Sequence, residues 1–314
     1  MKPKKILITG ANGYVGSTLV RELCLSGKKI ELTCIDDFSR SAEKDFSKLE
    51  KFCMEKNTRA VFAKASVLDF EKNPELLEGI DIAVHLAYVH NAEECEKYPE
   101  ETRRNNVEGT KILIGACEQK KIKRLIFPSS ILIYGATSGR ITEKTQPSPI
   151  TEYGRQKLEC EKLCLQSKLD CLVFRKANIF GAGFFRQPDT VIPVFIRKAI
   201  SEKKIQVYGS GEQEKNFLHI MDAMQAYKKA IFSSYAGLLN IGGKKSVKII
   251  ALAEKIAEEF NAEIGHVRPK KPEPKNQRIA YSSEMAKKAI GYAPKIEFEK
   301  GLEEILKLEK SLIK

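Results

Sequence analysis

Three side chains, Ser130, Tyr153 and Lys157, could together move a proton to or from an alcohol. Ser130 ends an apolar run that predicts a strand, and Tyr153 and Lys157 share one face of a predicted helix. An ammonium group favours a neighbouring phenolate, so we expect Lys157 to lower the pKa of Tyr153. Such a phenol can act as acid or base at a hydroxyl that becomes a carbonyl. Tyr-x-x-x-Lys is also typical of ordinary surface helices, so the surrounding elements decide its meaning.

A glycine-rich turn near the N-terminus predicts a dinucleotide site. Gly10, Gly13 and Gly16 lie between an apolar strand and a helical pattern. Backbone N–H groups in such a turn can approach a pyrophosphate, and the helix N-terminus adds partial positive charge. The next apolar run ends in Asp36 and Asp37, where a carboxylate can accept hydrogen bonds from an adenosine ribose.

The acidic residue also bears on which cofactor is bound. Asp36 would repel a 2′-phosphate, so the sequence favours NAD over NADP. Arg40, four residues further on, is the best argument for NADP. A solvated loop charge is the simpler role for this arginine.

The order of the predicted elements indicates an α/β fold. Strand-like runs and helical patterns alternate to about residue 180, and such units imply a doubly wound parallel Rossmann sheet. We expect residues 1–180 to form the NAD-binding domain. Residues 181–314 should form a smaller mixed α/β substrate-binding domain, with some strands returning to the first sheet. Helices are predicted over Thr102–Gln119 and Tyr153–Gln166.

The composition disfavours several classes of protein. The 314 residues are 42% hydrophobic with mixed charges, and no apolar run reaches the length of about 18 residues that a membrane span needs. The eight cysteines include no C-x-x-C pair, so we expect no metal and a reduced, cytoplasmic protein. The net charge of +13 is scattered without interleaved aromatic residues, so we expect no nucleic-acid partner.

Six motifs resemble those of the extended short-chain dehydrogenase/reductases. Within that family the likeness is to the NAD-dependent sugar-nucleotide epimerases and dehydratases, the UDP-glucose 4-epimerase-like enzymes among them. It covers nearly the whole chain, and the motifs are Thr9-Gly-Ala-Asn-Gly-Tyr-Val-Gly16, His85-Leu-Ala87, Asn106-Val-Glu-Gly-Thr110, Pro128-Ser-Ser130 followed by Tyr134-Gly135, Tyr153-Gly-Arg-Gln-Lys157, and Arg175-Lys-Ala-Asn-Ile-Phe-Gly181. By this resemblance Ser130, Tyr153 and Lys157 are catalytic, and Lys157 also holds the nicotinamide ribose.

The resemblance also implies binding residues. Besides the three glycines, the cofactor would contact Tyr14, Val15, Asp36, Asp37, Arg40, Ser66, Val67, Leu86, Ala87, Asn106, Tyr153 and Lys157. The substrate would contact Ser130, Asn178, Val191, Gln206, Tyr208, Lys215 and Arg278. Tyr88 departs from the family, because it replaces a small residue and could narrow the space beside the nicotinamide.

Several reactions remain open at this point. Dehydratases follow their catalytic hydroxyl residue with an Asp-Glu pair, whereas this chain has Ser130-Ile-Leu-Ile133, so dehydration is disfavoured. We favour an NAD-dependent epimerase of a nucleoside-diphosphate sugar over an NAD(P)H-dependent reductase of a keto sugar nucleotide. A non-catalytic cofactor-binding sensor and an RNA-binding relative are alternatives of another class. The family commonly pairs the helices of Asn106 and Tyr153 across an interface, which implies a homodimer.

Overall fold

A seven-stranded parallel sheet forms the centre of the chain, in a computed structural model that describes residues 2–137, 139–185, 190–268 and 279–313. The strands, in chain order, are β1 (Lys4–Thr9), β2 (Ile30–Asp36), β3 (Arg59–Lys64), β4 (Ile82–His85), β5 (Arg124–Ser130), β6 (Gly139–Ile141), β7 (Asp170–Lys176), β8 (Asn178–Phe180), β9 (Lys204–Tyr208), β10 (Glu214–His219), β11 (Gly237–Ile241), β12 (Ser246–Lys248), β13 (Glu263–Val267) and β14 (Ile279–Tyr281).

Helices surround this sheet and build a second, smaller lobe. They are α1 (Tyr14–Cys24), α2 (Glu43–Glu55), α3 (Ala92–Lys97), α4 (Pro99–Arg103), α5 (Gly109–Gln119), α6 (Glu152–Gln166), α7 (Val191–Ser201), α8 (Ile220–Ile231), α9 (Ile249–Phe260), α10 (Glu284–Ile290) and α11 (Phe298–Ile313). Short 3₁₀ turns cover Val67–Glu71, Pro74–Leu77 and Ile131–Tyr134.

The strand order of the main sheet is β11-β7-β5-β4-β1-β2-β3, and all neighbours are parallel. Successive side chains of one strand alternate between two apolar cores: Ile6 and Ile8 pack on one face of β1 and Leu7 on the other. Burial on both faces explains why the strands read as nearly continuous apolar runs. The doubly wound α/β fold predicted from the sequence is therefore confirmed.

The strand order reverses between β1 and β4, which fixes where a ligand can bind. From β1 the chain builds outward through β2 and β3 on one side, and then crosses to β4 and β5 on the other. Connections leave in opposite directions at such a point, so a crevice opens beyond the carboxyl ends of the two strands.

The second lobe is built around its own apolar core. Residues of α7, α9 and α11 pack there with those of β9 and β10. The strand β11 also follows residue 181, yet it lies beside β7 in the main sheet, with Gly237 opposite Leu172. Among the described residues, no helix is both long and apolar enough to cross a membrane.

The segment Thr102–Gln119, predicted as one helix, contains the end of α4, a π-helical turn and α5. A π-helical turn, Arg104–Glu108, joins α4 to α5. The extra residue in this turn places the Asn106 amide beside a loop, where it bonds both backbone groups of Val89 at 2.7 and 3.1 Å. Turns of this kind are frequent near functional sites.

Candidate active site

A cleft of about 560 Å³ opens at the carboxyl edge of the main sheet, where the strand order reverses. It brings together residues that lie far apart in the sequence. The residues proposed for binding or catalysis that line it are Gly10, Gly13, Tyr14, Val15, Gly16, Asp36, Asp37, Arg40, Ser66, Val67, Leu86, Ala87, Ser130, Tyr153 and Asn178.

The glycine turn has the close packing that a dinucleotide site requires. Gly10 has φ +67°, and a Cβ on Gly16 would lie 2.1 Å from the Gly10 carbonyl oxygen, so neither position accepts a side chain without strain. Helix α1 begins after Gly13 with no capping side chain and no acidic residue in its first turn. Its first N–H groups therefore face the cleft without a side-chain acceptor, as pyrophosphate binding needs.

Asp36 presents an oriented carboxylate at the end of β2. Its Oδ2 accepts from the Asn12 N–H at 3.0 Å, and its Oδ1 accepts from the Phe38 N–H at 3.0 Å and the Ser41 hydroxyl at 3.2 Å. Burial raises the pKa of this carboxyl, while the two backbone N–H groups oppose that shift. Because each carboxylate oxygen can accept two bonds, Oδ2 keeps a free position for a ribose hydroxyl.

Arg40 lies at the same end of the cleft but has an acidic partner. Its guanidinium pairs with the Glu94 carboxylate of α3. An arginine neutralised in this way is less available to a 2′-phosphate. Free helix N–H groups, an acidic acceptor and a paired arginine together fit an adenosine dinucleotide without a 2′-phosphate.

The catalytic candidates lie further along the cleft. Thr151 caps α6 by accepting from the Gly154 N–H at 3.1 Å, and this cap sets the first turn, which carries Tyr153. Tyr153 is 3% exposed and lines the cleft. Ser130, 6% exposed, ends β5, and its Oγ accepts from the Leu132 N–H at 3.2 Å.

Lys157 is buried one turn further along α6. It is 1% exposed and does not line the cleft in the described residues. Its Nζ donates to the Pro128 carbonyl oxygen at 2.9 Å and lies 3.1 Å from the centroid of the Tyr88 ring. The ring that replaces a small residue of the family therefore covers the ammonium group on the cleft side.

The expectation that Lys157 lowers the pKa of Tyr153 is wrong for this structure. Burial raises the pKa of the Tyr153 phenol well above its usual range, and the neighbouring groups that act most strongly on it, such as Tyr88 and Cys95, raise it further. The physical reason is the position of the Lys157 ammonium, which lies 5.9 Å from the centroid of the Tyr153 ring. It donates to the Pro128 carbonyl oxygen and lies against the Tyr88 ring instead. Burial also lowers the pKa of Lys157 to about 7.

The depressed pKa of Lys157 makes a prediction about stability. Between pH 7 and 9 the unfolded chain binds more protons at this residue than the folded chain, so stability rises with pH. The free energy of unfolding should rise by about 2 kcal/mol more in the wild type than in Lys157→Met over this range. Urea denaturation at pH 7, 8 and 9 measures the difference. If the free energy of unfolding of the wild type rises no more with pH than that of Lys157→Met, the buried environment of Lys157 is contradicted.

Asn106 lies behind the cleft wall rather than in it. Its side chain holds the backbone of Val89 and donates to Gln156 Oε1 at 2.8 Å. Because Val89 follows Tyr88, this amide positions the loop that carries the aromatic ring. The neighbouring Asn105 lines the cleft instead.

The seven proposed substrate residues divide into three groups, and Ser130 belongs with Asn178 to the group that lines the cleft. Asn178 lines the cleft, and its amide donates to the Asn216 carbonyl oxygen at 3.1 Å. Four others lie outside the cleft lining among the described residues: Val191, Gln206, Tyr208 and Lys215. Arg278 lies outside the described residues.

Like Asp45, the cleft residue Lys176 was not predicted as a site residue from the sequence. It lies at the end of β7 and lines the cleft, and burial lowers its pKa to about 8. The signal was available, because Lys176 lies within the motif that begins at Arg175 and ends a strand at the ligand-binding edge. His90 also lines the cleft, and its pKa is lowered to about 4 by burial and by the charge of Lys176.

Fold and cleft define a dinucleotide-binding protein of the doubly wound α/β class. The model of the NAD dependent epimerase/dehydratase family matches residues 6–242. The chain therefore belongs to this family. Membership confirms the family recognised in the sequence and an NAD-dependent chemistry of the epimerase or dehydratase kind.

Individual relatives include both kinds of enzyme. An uncharacterized UDP-glucose epimerase, YtcB, of Bacillus subtilis is 29% identical over 265 residues, 81% of this chain and 82% of that protein. A dTDP-D-glucose 4,6-dehydratase of Dictyostelium discoideum is 29% identical over 275 residues, 81% of this chain and 61% of that protein. The structure of UDP-glucuronic acid 4-epimerase from Bacillus cereus with UDP-glucuronic acid and NAD is similar with a TM-score of 0.86 and 26% identity, and the match covers 98% of this chain and 99% of that one.

Proposed function

We propose that this protein is an NAD-dependent epimerase of a nucleoside-diphosphate sugar. The observation that carries the proposal is the shared cleft: Ser130 and Tyr153 line the same cavity as the glycine turn and Asp36. A proton-transfer pair therefore lies at one end of a site whose other end fits an adenosine dinucleotide. Bound NAD would supply reversible hydride acceptance, while the side chains of the chain handle the proton.

The proposed proton transfer runs through the Tyr153 hydroxyl. Its phenol exchanges a proton with the sugar hydroxyl, and Ser130 Oγ donates a hydrogen bond to the same sugar oxygen. The raised pKa of Tyr153 keeps its phenol protonated, which is the state from which the return step starts, when the phenol gives its proton to a keto oxygen. The opposite step needs a phenolate, which Lys157 would stabilise once the Tyr88 ring no longer covers its ammonium.

Dehydration has no equivalent support in this cleft. The 3₁₀ turn after Ser130 carries Ile131, Leu132 and Ile133, and Leu132 lines the cavity. None of these side chains can act as acid or base. Elimination of water needs such a group, so epimerisation is the better match to the residues present.

Product analysis tests the proposal directly. The purified protein with NAD is incubated with UDP-, dTDP-, GDP- and CDP-sugars, and isomeric products are identified by NMR. We expect an equilibrium mixture of two isomers without net formation of NADH. Stoichiometric consumption of NADH with a 4-keto sugar nucleotide, and no isomerisation, would instead establish the reductase. Salt-sensitive binding of RNA without turnover would favour the RNA-binding alternative.

We also propose that the two parts of the chain bind different ligands. Residues 1–180 would bind NAD, and residues 181–314 would bind the sugar nucleotide through the residues of the second lobe. The central location of the cleft, which Thr190 and Phe185 line beside the residues of the main sheet, supports this division.

A cytoplasmic homodimer is proposed as the working form. All eight cysteines are free thiols, which suits a reducing compartment. For the dimer, Leu165 of α6 is 47% exposed and Ile112 of α5 is half-buried, so apolar surface remains on both helices. Leu113 is fully buried in the core, so it is not part of that surface.

A further inference from the structure

Lys176 and Ser130 lie side by side at the ligand-binding edge of the sheet. They end the neighbouring strands β7 and β5 and are direct partners in the parallel register. Paired residues of parallel strands project from the same face, and both side chains line the cleft. Lys176 is therefore placed at the sugar end of the cavity, next to the hydroxyl that would bond the reacting oxygen.

The Lys176 ammonium has no partner in the described part of the chain. Two basic side chains, Arg40 and Lys176, are among the described residues that line the cleft, and Arg40 is paired with Glu94. Lys176, by contrast, forms no hydrogen bond or ion pair within the described residues. Burial lowers its pKa to about 8, so most molecules still carry the charge at pH 7.

The acidic residues of the cleft are too distant to neutralise this charge. One acidic lining residue, Asp45, lies on α2 and pairs with Lys48 at 2.7 Å. The other two, Asp36 and Asp37, lie at the end of β2, and β5, β4 and β1 separate that strand from β7. With adjacent strands spaced by about 4.8 Å, the separation is about 19 Å. A partly buried cation without a partner is costly, so an anion supplied by a ligand would stabilise it.

We propose that Lys176 binds a carboxylate carried by the sugar ring, so that the substrates are nucleoside-diphosphate hexuronates. This inference rests on the proposed function, because it assumes a nucleotide sugar in the cleft. A diphosphate is the other anion of such a ligand. The register with Ser130 favours the carboxylate, because Ser130 is proposed to bond the reacting sugar and not the nucleotide.

The second ammonium nearby does not compete for this role. The charge of Lys176 also lowers the pKa of Lys157, so the two ammonium groups lie within electrostatic range of each other. Lys157, however, is already bonded to the Pro128 carbonyl oxygen and covered by Tyr88. Lys176 is thus the ammonium that a sugar substituent can reach from the cleft.

Calorimetric titration in the presence of saturating NAD tests the proposal without requiring turnover. The probes are UDP-glucuronate, UDP-glucose and UDP, and the variants are Lys176→Met and Lys176→Arg. Lys51→Met is the matched control, because Lys51 is an exposed lysine of α2. We expect the wild type to bind UDP-glucuronate at least about 10-fold more tightly than UDP-glucose, as a charge-assisted hydrogen bond would provide.

The variants distinguish the possible outcomes. Lys176→Met should abolish this preference, while Lys176→Arg keeps most of it and Lys51→Met keeps all of it. Equal wild-type affinities for the two sugars would overturn the proposal, and so would an equal loss for all three probes in Lys176→Met, which would assign the ammonium to the diphosphate. Isomerisation of UDP-glucose with no preference for the uronate would reject this inference alone. Failure of UDP and both UDP-sugars to bind would overturn this inference, and the proposed function fails with it only if none of the UDP-, dTDP-, GDP- and CDP-sugars is isomerised.

Discussion

Tyr153→Phe should lower turnover about 10²–10⁴-fold, because the variant loses the hydroxyl that exchanges a proton with the sugar. Tyr153 is buried within the cleft wall, against Val89 and Cys95, so the phenylalanine ring keeps the apolar contacts. We therefore expect kcat to fall while the affinity for NAD changes little. The measurements are steady-state kinetics on the substrate found by product analysis and calorimetric titration of NAD.

The controls separate chemistry from folding. Tyr98→Phe removes a phenol hydroxyl from a side chain that is 47% exposed and lies outside the cleft lining among the described residues. This variant should retain turnover far better than Tyr153→Phe. Unchanged turnover in Tyr153→Phe would refute the catalytic role, and a large loss of NAD affinity would show that the phenol acts through the binding site instead.

Glu161→Leu should lower the free energy of unfolding by about 3–5 kcal/mol, because it leaves a buried guanidinium without its carboxylate. The Arg175 and Glu161 side chains are 6% and 2% exposed and are joined at 2.8 Å. Arg175 also donates to the Tyr134 hydroxyl at 2.9 Å and to the Glu143 carbonyl oxygen at 3.4 Å, but neither neutral acceptor can neutralise the charge. Equilibrium urea denaturation at pH 7 measures the loss.

The same helix provides the matched control. Glu159 pairs with Arg103 at 2.6 Å, but these side chains are 42% and 38% exposed. Solvent screens such a pair, so Glu159→Leu should cost at most about 1 kcal/mol. If the two variants lose similar stability, burial does not determine the strength of the Arg175–Glu161 pair.

Local sequence patterns predicted much of the fold and the end of the cleft that fits the dinucleotide. The glycine turn and Asp36 are readable because each depends on a few consecutive residues: a turn without Cβ atoms and a strand that ends in an acid. The structure adds the three hydrogen bonds that orient the Asp36 carboxylate, which no spacing could specify.

The electrostatics of the catalytic end could not be predicted from spacing. Helical periodicity places Tyr153 and Lys157 on one face, but it contains no information on what covers that face. The Tyr88 ring and the Pro128 carbonyl oxygen come from other segments, and the Lys157 ammonium contacts these two groups instead of the Tyr153 phenol. Burial then dominates the pKa of both groups, which is why the sequence-based expectation had the wrong sign for Tyr153.

The return of β11 to the main sheet makes the two lobes inseparable as fragments. A chain ending at Gly181 would lack β11 and would leave the backbone of β7 unpaired along the side that β11 covers. An open edge of apolar residues such as Leu172 and Phe174 invites pairing with other chains and aggregation. Exchange of a substrate lobe between relatives, by recombination or by design, would therefore have to carry this strand along or supply a substitute for it.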